Sequence, residues 1–238
     1  MSKTTVGTLI VLLALTGASK ADAATKSGAN KPSGSKAAAK QAFATTGGEW
    51  QKEMSLAQEL MAAQNLQTAE SHYQKALTYV SAQDSANFAH TLQGLGLTKY
   101  YLDDFRAAAT LFEKTQDVID QAKITDIWMV ELNYEMLSRA YRHLDQPNRS
   151  EIYALKALDF SAAKIGKQTR TYALCLRNIG ILRHGQHRYI EAEEYFSQCL
   201  DILKKAPDTS KDVMEDLISL REENLASLDK LKSLSVGK

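Results

Sequence analysis

Residues Asn178–Leu200 read NIGILRHGQHRYIEAEEYFSQCL, with Gly180 twelve residues before Ala192, and Phe196 and Cys199 following that alanine at helical spacing. The same arrangement recurs along the chain. Moving Tyr189, Ala192, Phe196 and Cys199 back by 42 residues gives Pro147, Ser150, Ala154 and Ala157, and a further 42 gives Phe105, Ala108, Phe112 and Thr115. A last step of 39 reaches Leu66, Ala69, Tyr73 and Ala76, and the glycine site follows as Gly180, Ser138, Gly96 and Ala57. Self-similarity at a fixed step of this size is the signature of a repeat architecture.

Each unit reads as two helices. In the last one, Leu176, Ile179, Gly180 and Arg183 form one stripe at helical spacing. Ala192, Tyr195, Phe196, Cys199 and Leu200 form a second stripe, and GQHR breaks the chain between them. Small residues at Gly180 and Ala192 let the two backbones approach, and Phe196 fills the space beside them. One such pair cannot enclose its own apolar face, so successive pairs must stack. After Gly48 only Pro147 and Pro207 interrupt the chain, which leaves room for long helices almost throughout. The competing reading is an irregular helical bundle with accidental periodicity.

The pattern L-x-x-I-G-x-x-R followed by Y-x-x-A-x-x-x-F-x-x-C resembles the tetratricopeptide repeat. Its 42-residue step is similar to the longer variant of kinesin light chains and many bacterial repeat proteins. The resemblance runs from about Trp50 to Leu203 and is fullest in LQGLGLTKYYLDDFRAAATLF and LRNIGILRHGQHRYIEAEEYF. The first unit departs with Ala57 for glycine, and the third with Pro147, Ser150 and Ala154. The fold it implies is all-α: a right-handed α-solenoid of about four helix pairs, residues 49–205, with residues 206–238 forming a C-terminal capping helix and tail. In that last segment Val213, Leu217, Leu220, Leu228 and Leu231 share a face, and Thr209 or Ser210 is placed as an N-cap.

The resemblance also implies a concave groove lined by the first helix of each pair. Its positions fall here on Gln93, Leu97, Tyr100 and Tyr101, on Glu135, Arg139, Arg142 and His143, and on Arg177, Ile181, His184 and Gly185. Asn178 matches an asparagine that in the family often contacts the backbone of a bound peptide. The groove would run from aromatic to basic. Alternatively, the arginines only solvate the face.

Charge is unevenly distributed. Residues 49–135 hold six Lys and Arg against thirteen Asp and Glu, whereas residues 136–190 hold ten against three. Such a contrast suits attraction of an acidic protein or peptide partner to the third and fourth units. Nucleic acid is a poor candidate. Without Lys3, Lys20 and Asp22 of the N-terminal segment, the 29 basic and 28 acidic residues become 27 of each.

The N-terminal stretch MSKTTVGTLIVLLALTGASKADA combines Lys3, an apolar run from Val6 to Leu15, and Ala21 and Ala23 flanking Asp22. This is the layout of a secretory signal peptide, residues 1–23, cleaved near Ala23. The run is well short of the roughly 20 apolar residues that span a bilayer. The expected product is an exported protein, periplasmic or secreted, with no membrane span after cleavage. Residues 24–48, rich in Ala, Lys, Ser and Gly, read as a disordered basic leader.

Catalytic patterns are missing from the sequence. His184 and His187 straddle a turn among arginines, without a third ligand nearby, so no metal site and no cofactor are expected. Glu191, Glu193 and Glu194 suit the first turn of a helix. The expectation is an interaction module without chemistry, or alternatively a self-associating structural adaptor of the cell envelope that uses the C-terminal helix. Cys175 and Cys199, the two cysteines, are equidistant from the GQHR turn and lie at similar height in an antiparallel pair. In an oxidising compartment they could form a disulfide. As free thiols they would instead be small core residues.

Overall fold

The computed structural model describes residues 34–81, 83–206 and 209–236. The signal-peptide expectation lies outside the described residues, as does the start of the leader. Among the described residues there are nine α-helices and no strand, so the fold is all-α. They fall into two compact units that meet in sequence at Thr125 and Asp126.

In the N-terminal unit, α1 (Gly34–Ala62) pairs with α2 (Leu66–Tyr79), and α3 (Ser85–Tyr101) pairs with α4 (Phe105–Ala122), while α2 packs on α3. In the C-terminal unit, α5 (Ile127–His143) pairs with α6 (Pro147–Lys164), and α7 (Arg170–Gly185) with α8 (Tyr189–Leu203). There α6 packs on α7, and α9 (Lys211–Val236) covers α8 and touches α7. The first helix starts earlier than the sequence reading allowed, at Gly34, inside the segment read as a leader. That reading weighed the shortage of apolar surface and neglected the alanines of SKAAAKQAFA, the residue with the highest helix propensity.

The repeat template is the core. Ala69, Tyr73, Ala76, Ala108, Phe112, Thr115, Ser150, Ala154, Ala157, Ala192, Phe196 and Cys199 are all buried. At Gly96 an added Cβ would lie 2.8 Å from Phe112 Cε1, and at Gly180 2.6 Å from Phe196 Cε1, so the aromatic ring rests on the bare backbone. The third pair reverses the sizes. Ala154 replaces the ring, Ser138 replaces the glycine, and Ser150 Oγ donates a 2.8 Å hydrogen bond to the Ser138 carbonyl. The two departures from the pattern therefore compensate each other. In the first pair the Tyr73 ring leans instead on Gly94 of α3, where a Cβ would overlap it.

Each within-pair turn closes in the same way. Gln64, Asp103, Asp145 and His187 all have φ between 54° and 62°. The residue after each donates its N–H five residues back: Asn65 to Leu60, Asp104 to Lys99, Gln146 to Tyr141 and Arg188 to Arg183, at 2.8–3.0 Å. This is the Schellman closure, whose left-handed residue is normally glycine. None of the four is glycine here. Gln64→Gly should therefore raise stability by about 1 kcal/mol by relieving the left-handed conformation. A urea titration with an unchanged or lower midpoint would contradict that account.

Ionic staples repeat as well. Lys99, three residues after Gly96, reaches back 2.7 Å to Glu70 on α2. Arg183, three after Gly180, reaches 2.6 Å back to Glu151 on α6 and sits 3.4 Å from Glu191 on α8. At the matching place in α5, Tyr141 stacks on Tyr153 at 5.8 Å with the Arg149 guanidinium 4.2 Å above its ring.

Candidate partner-binding face

The positions expected to face a partner lie on α3, α5 and α7. In the N-terminal unit Gln93 and Leu97 are buried, while Tyr100 and Tyr101 are half-buried. The Tyr100 ring meets Tyr101 at 5.7 Å and Phe105 at 5.3 Å, edge to face, so its position is fixed by the turn that begins α4.

In the C-terminal unit the expected basic row is answered by the chain's own acids. Arg139 Nη2 donates to Glu135 Oε1 at 2.5 Å, one turn back on α5, and Asn178 Nδ2 of α7 donates to the same oxygen at 3.1 Å. Arg177 is ion-paired with Asp216 of α9. The His184 ring nitrogen Nδ1 lies 3.0 Å from Asn224 Oδ1, and Asn224 Nδ2 donates to the Tyr189 carbonyl at 2.9 Å. With the amide so oriented, His184 Nδ1 carries the proton. Ile181 packs against the apolar cluster beneath α9. Arg142 is half-buried, and His143 and Gly185 are exposed.

Between α5 and α7 the face encloses acid. Glu131 and Glu135, one helical turn apart, are both buried, and Arg139 is the cation beside them. Glu131 Oε1 accepts from the Cys175 thiol at 3.5 Å. Burial, with the neighbouring Glu135 carboxyl adding to it, pushes the Glu131 carboxyl up to about 8. A buried carboxyl without a cation of its own is most stable neutral.

The two cysteines are free and face different neighbours, which overturns the disulfide reading. Cys199 sits with Ala173, Leu176 and Phe196 in the cluster that α9 covers. Cys175 is next to Leu176 in sequence but a step of about 100° round the helix, on the side of Glu131. Equal height along the pair is satisfied; common direction is not. Burial raises both thiols, Cys199 to about 12.

The sequence reading missed Glu131, Asp216 and Asn224. The offsets from Arg177 to Asp216 and from His184 to Asn224 are 39 and 40 residues, close to the repeat step, and so mark equivalent places on successive helices. Of the two N-cap candidates, Ser210 directly precedes α9 and its carbonyl accepts from the Met214 N–H at 3.3 Å, while the Thr209 hydroxyl donates to the Leu203 carbonyl at 3.0 Å, tying it to the end of α8. Among the described residues no cluster of three or more His, Cys, Asp or Glu is arranged to hold a metal ion.

Residues 129–205, from the first turn of α5 to just past α8, match the family model of the tetratricopeptide repeat. No curated protein matches the chain. Among solved structures it is similar to BtubC (BKLC) from P. vanneervenii, with 15% identity, 83% of this chain and 91% of that one covered, and a TM-score of 0.60. It is also similar to the apo form of RapI, at 15% identity and a TM-score of 0.62, over 79% of this chain and 51% of that one. A third likeness is to YrrB, a tetratricopeptide repeat protein with an unusual peptide-binding site, at 18% identity, 76% and 90% coverage, and a TM-score of 0.42. For BtubC and RapI, at 15% identity, the likeness is one of fold.

Proposed function

We propose, on the premise that residues 129–205 belong to the tetratricopeptide repeat family, that the chain is an exported, non-catalytic module that holds an acidic peptide or protein segment on the first-helix face of its repeats. The observation that carries this reading is the end of α5. There Arg142 and the exposed His143 close the helix, one turn beyond Arg139, on the row that the repeat fold uses to line its inner face. Helical repeats recognise partners through such scattered side chains on an extended surface. A positive helix end also complements the partial negative charge of the last carbonyls. Export follows from the N-terminal pattern, and N-terminal sequencing of the mature protein should find a start near Ala24.

Charge reversal at Arg139 and Arg142 tests the face. A photo-crosslinker at His143 should trap an acidic partner in the native extracytoplasmic fraction. Arg139→Glu with Arg142→Glu should remove most of the adduct at low salt and flatten its dependence on ionic strength. Equal trapping by the reversed variant removes the acidic-partner reading.

A further inference from the structure

The ends of five helices of the C-terminal unit meet along one edge. Ser138 of α5 touches Ser150 of α6, and an equal count outward along each helix makes Trp128 level with Phe160, one turn short of Lys164 where α6 ends. A short turn later α7 begins at Arg170 and packs on α6. Arg177 pairs with Asp216 and His184 with Asn224, so α9 runs parallel to α7, and their first residues, Arg170 and Lys211, are level to within about 3 Å. Against α8 the order reverses, Arg221 with Glu193 and Asn224 with Tyr189, which brings Leu203 at the end of α8 level with Lys211.

This edge is basic. Lys164, Lys167, Lys204, Lys205 and Lys211 are exposed, and Arg170 is half-buried. Among the described residues Lys211 pairs with Glu215 at 3.2 Å, whereas the other five cations are not held by a carboxylate. Acids are few: Asp126 is engaged as the N-cap of α5, accepting from the Met129 N–H at 3.0 Å, Asp212 opens α9, and Asp208 of the linker lies outside the described residues. Lys164 complements the dipole at the end of α6. Arg170 and Lys211 do the reverse, since each is the first residue of its helix and meets the positive end, so helix stability does not account for them. The opposite edge of the unit differs. There Arg188 pairs with Glu191 at 2.5 Å, and the Arg149 guanidinium lies on the Tyr141 ring.

Trp128 stands on the basic edge as well. It is 56% exposed, with Ile127 beside it at 36%. In a helix the Cα–Cβ bond leans towards the N-terminus, so side chains on the first turn of α5 project outward to the edge. The chain's other tryptophan, Trp50, is half-buried and donates to Thr91 Oγ1 at 2.9 Å. An indole with an apolar body and a wet N–H settles at the headgroup level of a bilayer. Five of the six cations are lysines, point charges rather than planar forks, and they are spread over neighbouring helix ends. That spread suits a broad anionic surface better than a single carboxylate.

We propose that this edge docks on an anionic lipid bilayer, with Trp128 and Ile127 entering the headgroup layer and the cations facing lipid phosphates. It uses the start of α5, whereas the acidic-partner reading uses its other end at Arg142 and His143, so the two stand or fall separately.

Trp50→Phe in the full chain leaves Trp128 as the single tryptophan, and the N-terminal apolar run is common to every variant, so the emission reports on the edge. With vesicles of phosphatidylglycerol and phosphatidylcholine the emission should move to shorter wavelength and be quenched by brominated acyl chains; with phosphatidylcholine alone it should do neither. At about fivefold in affinity per cation, Lys164→Glu with Lys167→Glu should raise the lipid concentration at the midpoint by about twentyfold or more. High salt should act in the same direction. Emission unchanged by anionic vesicles, in protein that circular dichroism shows to be helical, overturns the proposal. The same shift produced by soluble polyglutamate assigns the edge to an acidic polypeptide and overturns it too. Should Trp50→Phe not fold, the native chain and Trp128→Phe supply the same signal by difference, and a difference that ignores the vesicles has the same meaning.

Discussion

Gly180→Ser should cost about 1–3 kcal/mol, because the new Cβ falls 2.6–2.7 Å from Phe196 Cε1 and Cδ1 and overpacks a closed contact. Phe196→Ala should cost more, about 3–5 kcal/mol, by emptying a site where the ring is 1% exposed. Against a total stability of about 5–15 kcal/mol, either change is severe. The combination should be milder than the two costs added, by 1 kcal/mol or more, because it reproduces the Ser138 and Ala154 arrangement already present in the third pair. Adding Ala192→Ser should help further, by supplying the counterpart of the Ser150 Oγ bond to the Ser138 carbonyl. Urea titrations of the four corners of the cycle measure this. Strict additivity would mean that the third and fourth pairs do not share a packing plan.

The periodic positions were legible because volume controls them. Where two helices approach closely, only Gly, Ala, Ser, Thr or Cys fits, and the bulky neighbour must fill what is left, so Ala108, Phe112, Ala192 and Phe196 announced themselves. Ser138 and Ala154 looked like defects when read singly and are sensible only as a pair. The left-handed residues Gln64, Asp103, Asp145 and His187 were hidden because none of them is glycine. The basic row was only half legible. Counting charges found the arginines, whereas whether Arg139 and Arg177 meet solvent or a carboxylate depends on side-chain directions that spacing does not encode. Glu135 and Asp216 answer them from the neighbouring turn and from the neighbouring helix. For Cys175 and Cys199, height along the pair was correctly inferred and direction was not, since one step in sequence turns a side chain from one helix interface to the next.

The buried acid at Glu131 makes stability depend on pH in a direction opposite to that of an ion-paired carboxylate. Its carboxyl titrates near 8 in the folded chain against an ordinary 4.5, so between those values the folded state holds a proton that the unfolded state has lost. Stability from this group is complete below about pH 4.5 and is lost as pH rises through 8. The slope approaches about 1.4 kcal/mol per pH unit within that window. The groups facing it are Glu135 and Arg139 on α5 and the thiol of Cys175 on α7, and the like-charged neighbour and the burial both work against ionisation. Glu131→Gln keeps an oxygen to accept the thiol hydrogen and removes the titration. The difference in unfolding free energy between parent and variant isolates Glu131 from every other titrating group, including Glu151, which Arg183 holds below its ordinary value and which acts in the opposite sense. That difference should swing towards the variant steadily from pH 5 to 8, leaving Glu131→Gln the more stable protein at the alkaline end. Parallel stability curves across that range would place Glu131 in contact with water or with a cation, and the acidic seam between α5 and α7 would have no hold on the fold.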